Sequence, residues 1–102
     1  MAGSSGTASI AVSLVASGQI LAAVPTKRIR VWSVSLISLV STAVKLQSAA
    51  NDITGPMNFA ITGGIVMPAG TYPWCYTNVG EALNLNMSVN TTVGGVLVYD
   101  VV

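Results

Sequence analysis

The sequence predicts an all-β domain, and three observations predict it. Val, Ile, Leu and Thr are dense from Ile10 onward, the residue types that sit best on a pleated, half-buried surface. Breaks recur at short intervals, at Ser17-Gly18, Pro25-Thr26, Asn51-Asp52, Gly55-Pro56, Gly63-Gly64 and Pro68-Ala69-Gly70, which suits short strands joined by tight turns. No stretch carries a convincing helical period. Eight or nine strands in one small domain read as an antiparallel β-sandwich of jelly-roll type.

Residues Met1–Ser9 are rich in Gly, Ser and Ala with no anchoring apolar pattern and read as a flexible arm, leaving residues 10–102 for the sandwich. Ile10–Ala16 and Gln19–Val24 are the first strand candidates. Arg28–Ser41 is more informative because its pattern breaks. Ile29 and Val31 share a face, Trp32, Val34 and Leu36 take the other parity, and Ile37 and Leu39 switch back. Fully extended, that segment would span roughly 45 Å, whereas a globule of this size has a radius of gyration of only ~13 Å. It should therefore bend or bulge, between Ser33 and Ser38. Apolar residues on both parities also fit a strand with one face in the core and the other against a partner.

Ala43–Gln47, Met57–Ile61, Gly64–Met67 and Tyr72–Tyr76 are shorter candidates. Ala82–Val89 has the clearest period of two, with Leu83, Leu85, Met87 and Val89 on one face and Asn84, Asn86 and Ser88 on the other. The turn Thr77-Asn78-Val79-Gly80 marks its start. Val96–Val102 follows Gly94-Gly95 and alternates Val96, Val98, Asp100 against Leu97, Tyr99, Val101.

Composition narrows the function. The chain has 102 residues, 52% of them hydrophobic and 7% charged, with four Lys or Arg, three Asp or Glu and no His. Disorder is excluded, since a disordered chain is poor in apolar residues and rich in charge. Without His there is no Ser-His-Asp or Cys-His catalysis and no His-bearing zinc site. The lone Cys75 permits no intrachain disulfide and reads as a small buried hydrophobe. A net charge of +1 gives no long-range field for nucleic acid or anionic lipid. No basic residue precedes Lys27 to form a secretory n-region. Ile10–Val24 is interrupted by Ser13, Ser17, Gly18 and Gln19, short of the ~20 apolar residues of a membrane span. No enzyme activity, cofactor, metal, nucleic-acid partner or membrane is expected.

The polar residues are instead mostly Ser, Thr and Asn, including Ser33, Ser35, Ser38, Ser41, Thr42, Asn90, Thr91 and Thr92. A soluble monomer usually keeps charge on its surface to resist association, whereas large uncharged surfaces are generally covered by other molecules. The composition argues for an oligomer or a lattice component. The competing reading is a monomer with a Ser/Thr/Asn coat.

Few side chains offer chemistry. Asp52, Glu81 and Asp100 read as isolated, solvated carboxylates, with a pair converging across a cleft as the less favoured reading, since spacing alone does not decide it. Lys27, Arg28 and Arg30 form the only basic cluster, read either as a solvated strand start that discourages edge pairing or as a contact for an acidic partner. Tyr72, Trp74 and Tyr76 stand at alternate positions and share a face if extended, with Pro73 confining them to an edge or loop. Such a stripe packs in a core or subunit interface, or stacks on sugar rings.

Four pieces in order carry a resemblance: Pro25-Thr26-Lys27-Arg28-Ile29-Arg30-Val31, Gly63-Gly64-Ile65-Val66-Met67-Pro68, Gly80-Glu81-Ala82-Leu83-Asn84-Leu85-Asn86 and Gly94-Gly95-Val96-Leu97-Val98-Tyr99. From Val24 to Val102 the chain resembles the small jelly-roll capsid decoration or cement proteins of tailed bacteriophages. The resemblance implies a homotrimer on the capsid exterior, clamping neighbouring major capsid proteins, with no catalytic residue. This chain is poorer in charge than that group. On this reading the arm and the strand with Ile10, Val12 and Leu14, together with Lys27, Arg28 and Arg30, reach the capsid or a neighbouring subunit. The alternatives are another virion position, at a head-fibre base or on the tail, and a carbohydrate-binding module using Tyr72, Trp74 and Tyr76.

Overall fold

In the computed structural model, which describes residues 8–102, alternation of apolar and polar residues resolves into ten strands and no helix among the described residues. They are β1 (Ala8–Leu14), β2 (Gly18–Leu21), β3 (Ile29–Ser38), β4 (Thr42–Ser48), β5 (Asn51–Asp52), β6 (Met57–Phe59), β7 (Gly64–Met67), β8 (Cys75–Tyr76), β9 (Leu83–Met87) and β10 (Val93–Val101).

The first sheet runs β2-β9-β4, with β5 and β6 side by side along the far edge of β4. The second runs β1-β10-β3, with β7 and β8 along the far edge of β3. Every pairing is antiparallel. If β5/β6 and β7/β8 each count as one interrupted strand, eight strands remain. The sheet orders become second-seventh-fourth-fifth and first-eighth-third-sixth, the wiring of a jelly roll. The domain measures 39 × 25 × 20 Å, with a radius of gyration of 13.1 Å.

Both inner faces are apolar. Val12, Ile29, Val31, Val34, Leu36, Val93 and Leu97 from one sheet meet Val44, Leu46, Phe59, Leu83, Leu85 and Met87 from the other. Each such side chain removed from water stabilises the fold by roughly 1.5–3 kcal/mol. Buried polar groups are paired: the Thr77 hydroxyl accepts from the Ile29 amide at 3.0 Å. The Thr42 hydroxyl donates to the Val89 carbonyl at 2.8 Å and accepts from its amide at 3.1 Å.

Several expectations shift. β1 starts at Ala8, so Ala8 and Ser9 belong to the sandwich, while the rest of the expected arm lies outside the described residues. β3 does bulge, but at Trp32: Val98 faces Ser33 and Tyr99 faces Val31, leaving Trp32 with no opposite residue. That extra residue lets Ile29 and Val31 face inward with Val34 and Leu36 despite their opposite parity. Ile37 and Leu39 do not return to the core; both are 59% exposed. Val89 is also exposed, because β9 stops at Met87. Asn51-Asp52, expected as a break, pairs with β4 as β5. Of Tyr72–Tyr76 only the last two residues are strand.

Candidate functional site

The jelly-roll wiring sorts the loops into two unlike ends. Loops 15–17, 39–41, 60–63 and 88–92 gather at one end and are tied together by hydrogen bonds. The Ser38 amide donates to the Gly63 carbonyl at 2.9 Å and the Leu39 amide to the Thr92 carbonyl at 2.9 Å. The Ser17 hydroxyl accepts from the Met87 amide at 2.7 Å. None of these loops contains a charged residue, yet they expose Val15, Leu39, Val40, Ile61 and Val89. Apolar residues usually sit singly on a surface; a cluster marks a contact region.

The outer face of the second sheet continues this neutrality. Across β1, β10, β3 and β7 it presents Ala11, Val96, Ser35 and Val66 in one row, and Ser13, Gly94, Ile37 and Gly64 in the next. A groove of about 400 Å³ opens there, lined by Ile37, Leu39, Thr62, Thr92 and Gly94 among others. Thr62, on its rim, holds φ at 55°, a left-handed conformation that a β-branched residue rarely adopts.

The charges lie away from this end, and on the second sheet's outer face they are confined to the Arg30–Asp100 pair at the far end of β3 and β10. Lys27 and Arg28 occupy the loop before β3, joined to the chain end through reciprocal Arg28 and Val102 backbone bonds. Arg30 is not a solvated cation. Its Nε donates to Asp100 Oδ1 at 2.8 Å and its second nitrogen reaches Oδ2 at 2.5 Å, while Trp32 Nε1 donates to Oδ1 at 3.0 Å. Arg30 thus brings little net charge to an acidic partner. The Arg28 guanidinium stacks 5.0 Å from the Tyr76 ring centroid and that of Arg30 5.3 Å from Trp32.

The hydrogen bond from Arg30 holds the Asp100 carboxyl below the ordinary aspartate range. A carboxyl depressed in the folded state contributes stability above its unfolded pKa, and that contribution is lost as pH falls through the folded value. The melting temperature should therefore drop as pH falls through and below the ordinary aspartate range, and Asp100→Asn should lower it at neutral pH while flattening that acid limb; thermal melts across pH check this. Asp52 is depressed too, by hydrogen bonds first from Gln47 and then Lys45, so Asp52→Asn serves as the exposed comparison.

The predicted site residues divide. Val12 is buried, and Ile10 and Leu14 pack against the core; the outward positions of β1 are instead Ser9, Ala11 and Ser13, because Ile10, Val12 and Leu14 are the parity that closes the sandwich. Tyr72, Trp74 and Tyr76 are 80%, 52% and 53% exposed, not core. They are not one extended stripe, since Tyr72 lies in a bend before β8. Trp74 Nε1 donates to the Pro68 carbonyl at 2.8 Å. Cys75 turns the other way, packs on the core, and has its thiol pushed up to about 11 by burial, which leaves it unreactive at neutral pH. The three carboxylates are each engaged separately: Asp52 by Lys45 and Gln47, Asp100 by Arg30 and Trp32, Glu81 by Ser48 and Asn78.

Sequence reading missed the uncharged end. Its signal is present, as apolar residues without charge at Val15-Ala16-Ser17, Leu39-Val40-Ser41 and Ile61-Thr62, but these mostly read as strand ends, and only the wiring brings them together as loops. Comparison of the chain with family models, with curated proteins and with solved structures gives no match in any of the three.

Proposed function

We propose that this chain is a structural virion protein that binds the outside of an assembled phage head and stabilises contacts between major capsid proteins. The observation that carries the reading is the uncharged end, where Val15, Leu39, Val40, Ile61 and Val89 are exposed without a charge among them. The jelly-roll wiring supports it as well. On this reading the four loops meet the shell. Copies pack around a threefold axis through the outer face of the second sheet over β3 and β10, where Gly94 and Ser35 allow close approach. A protein that binds only the assembled lattice shifts the equilibrium away from rupture by mass action, and three weak contacts in one trimer add through avidity.

The test uses Leu39→Asp combined with Ile61→Asp, both at exposed positions. Binding to undecorated phage heads is measured by co-sedimentation. Occupancy should fall at least tenfold while the melting temperature holds; unchanged occupancy would sink the assignment of this end. The exposure of Tyr72, Trp74 and Tyr76 favours a second reading, a carbohydrate-binding module. Glycan-array binding that disappears in Trp74→Ala would support it, and an empty array with the native chain would remove it.

A further inference from the structure

Proteins blunt the edges of their sheets, because an unpaired strand is a template for another chain. Of the four sheet edges among the described residues, three are blunted. β2 is four residues long and irregularly paired to β9. The β5/β6 edge is interrupted around Gly55-Pro56, and the β7/β8 edge by Pro68 and Pro73. β1 differs: seven unbroken residues, with no charge and no proline, whose second edge pairs with no strand among the described residues. A crevice of about 70 Å³ opens beside it, between β1 and β2, lined by Val12, Leu14 and Ile20 among others.

The sequence of β1 points to its occupant. Ala8-Ser9-Ile10-Ala11-Val12-Ser13-Leu14 is nearly palindromic in character about Ala11. Antiparallel pairing with a second copy, centred on a twofold axis at Ala11, sets Ile10 against Val12, Ser9 against Ser13 and Ala8 against Leu14. Inward residues then meet inward residues and serines meet serines across the seam, as side-chain alternation requires. A one-residue shift of that register would bring core-facing residues against outward ones.

We infer that β1 joins two copies of this chain edge to edge about a twofold axis at Ala11, making one continuous sheet from two second sheets. The pairing is isologous, so it closes at two copies and cannot run on into a fibre. It stands apart from the reading of the chain as a virion protein, and its test uses no phage head.

Ala11 is exposed on the outer side of β1, so a charge there leaves the core alone. Like charges placed directly opposite across a strand pair are unfavourable. In sedimentation velocity over a concentration series, the native chain should show a species of twice the mass of its smallest unit. Ala11→Lys and Ala11→Glu should each weaken that doubling at least tenfold, and an equimolar mixture of the two should restore it. Ala11→Cys in a Cys75→Ser background should oxidise to a covalent dimer, since directly opposed residues lie within disulfide reach. Doubling that survives Ala11→Lys, a mixture that fails to recover it, or an Ala11→Cys chain that stays uncrosslinked would each overturn the inference. Loss of doubling on removal of residues 1–7 alone would overturn it too, by assigning the association to that segment.

Discussion

Gly95→Ala is expected to destabilise the domain by about 3 kcal/mol or more. Gly95 lies in β10 opposite Leu36, and a Cβ built there overlaps the Ser35 carbonyl oxygen in the neighbouring strand. The obstacle is backbone, so no rotamer change relieves it, and β3 and β10 must move apart. These two strands form the centre of the second sheet. Gly64 stands in the same relation on the other side of β3, where a Cβ would overlap the Leu36 carbonyl oxygen. Gly70 has open space around it, so Gly70→Ala is the control. Urea denaturation of the three variants checks this: Gly95→Ala and Gly64→Ala should each lose about 3 kcal/mol or more of a stability that is typically about 5–15 kcal/mol, and Gly70→Ala almost none.

Leu36→Ala is expected to cost about 3 to 5 kcal/mol. Leu36 is fully buried, and its opposite residue in β10 is Gly95. No side chain at that position can relax into the space left by the missing methyls. The cavity therefore stays open, which places the loss in the upper part of the range for buried leucines. Ile37→Ala, one residue on and exposed, should fall within about 0.5 kcal/mol of the native chain. If the two variants melt alike, the assignment of faces around the β3 bulge is wrong.

Much of the fold was legible because a half-buried strand writes its inward face into every second residue. Leu83, Leu85 and Met87 were readable as one face, and Gly64–Met67 was readable to the residue. The parity break in β3 announced a bulge, yet its position was misjudged. A bulge falls where the partner's register requires it, and β10 places it at Trp32. Alternation also said that Ile10, Val12 and Leu14 share a side without saying which side is inside. Pairing with β10 at the sandwich edge turned them inward. The aromatic residues were expected in a core or interface more than on a surface, yet all three are exposed, because apolar area alone does not separate those fates.

What the sequence determined by itself is the class of the domain, its strand content and its lack of ionic surface, all of which follow from local pattern and composition. Tertiary structure alone decided where that neutrality gathers. Turns scattered from Val15 to Thr92 share one end because eight strands are wired as two interleaved sheets, and contacts between residues so far apart in the chain are absent from any local window. The same long-range pairing put Asp100 against Arg30, removing a cation that the sequence offered as available, and left β1 as the long unblunted edge among the described residues.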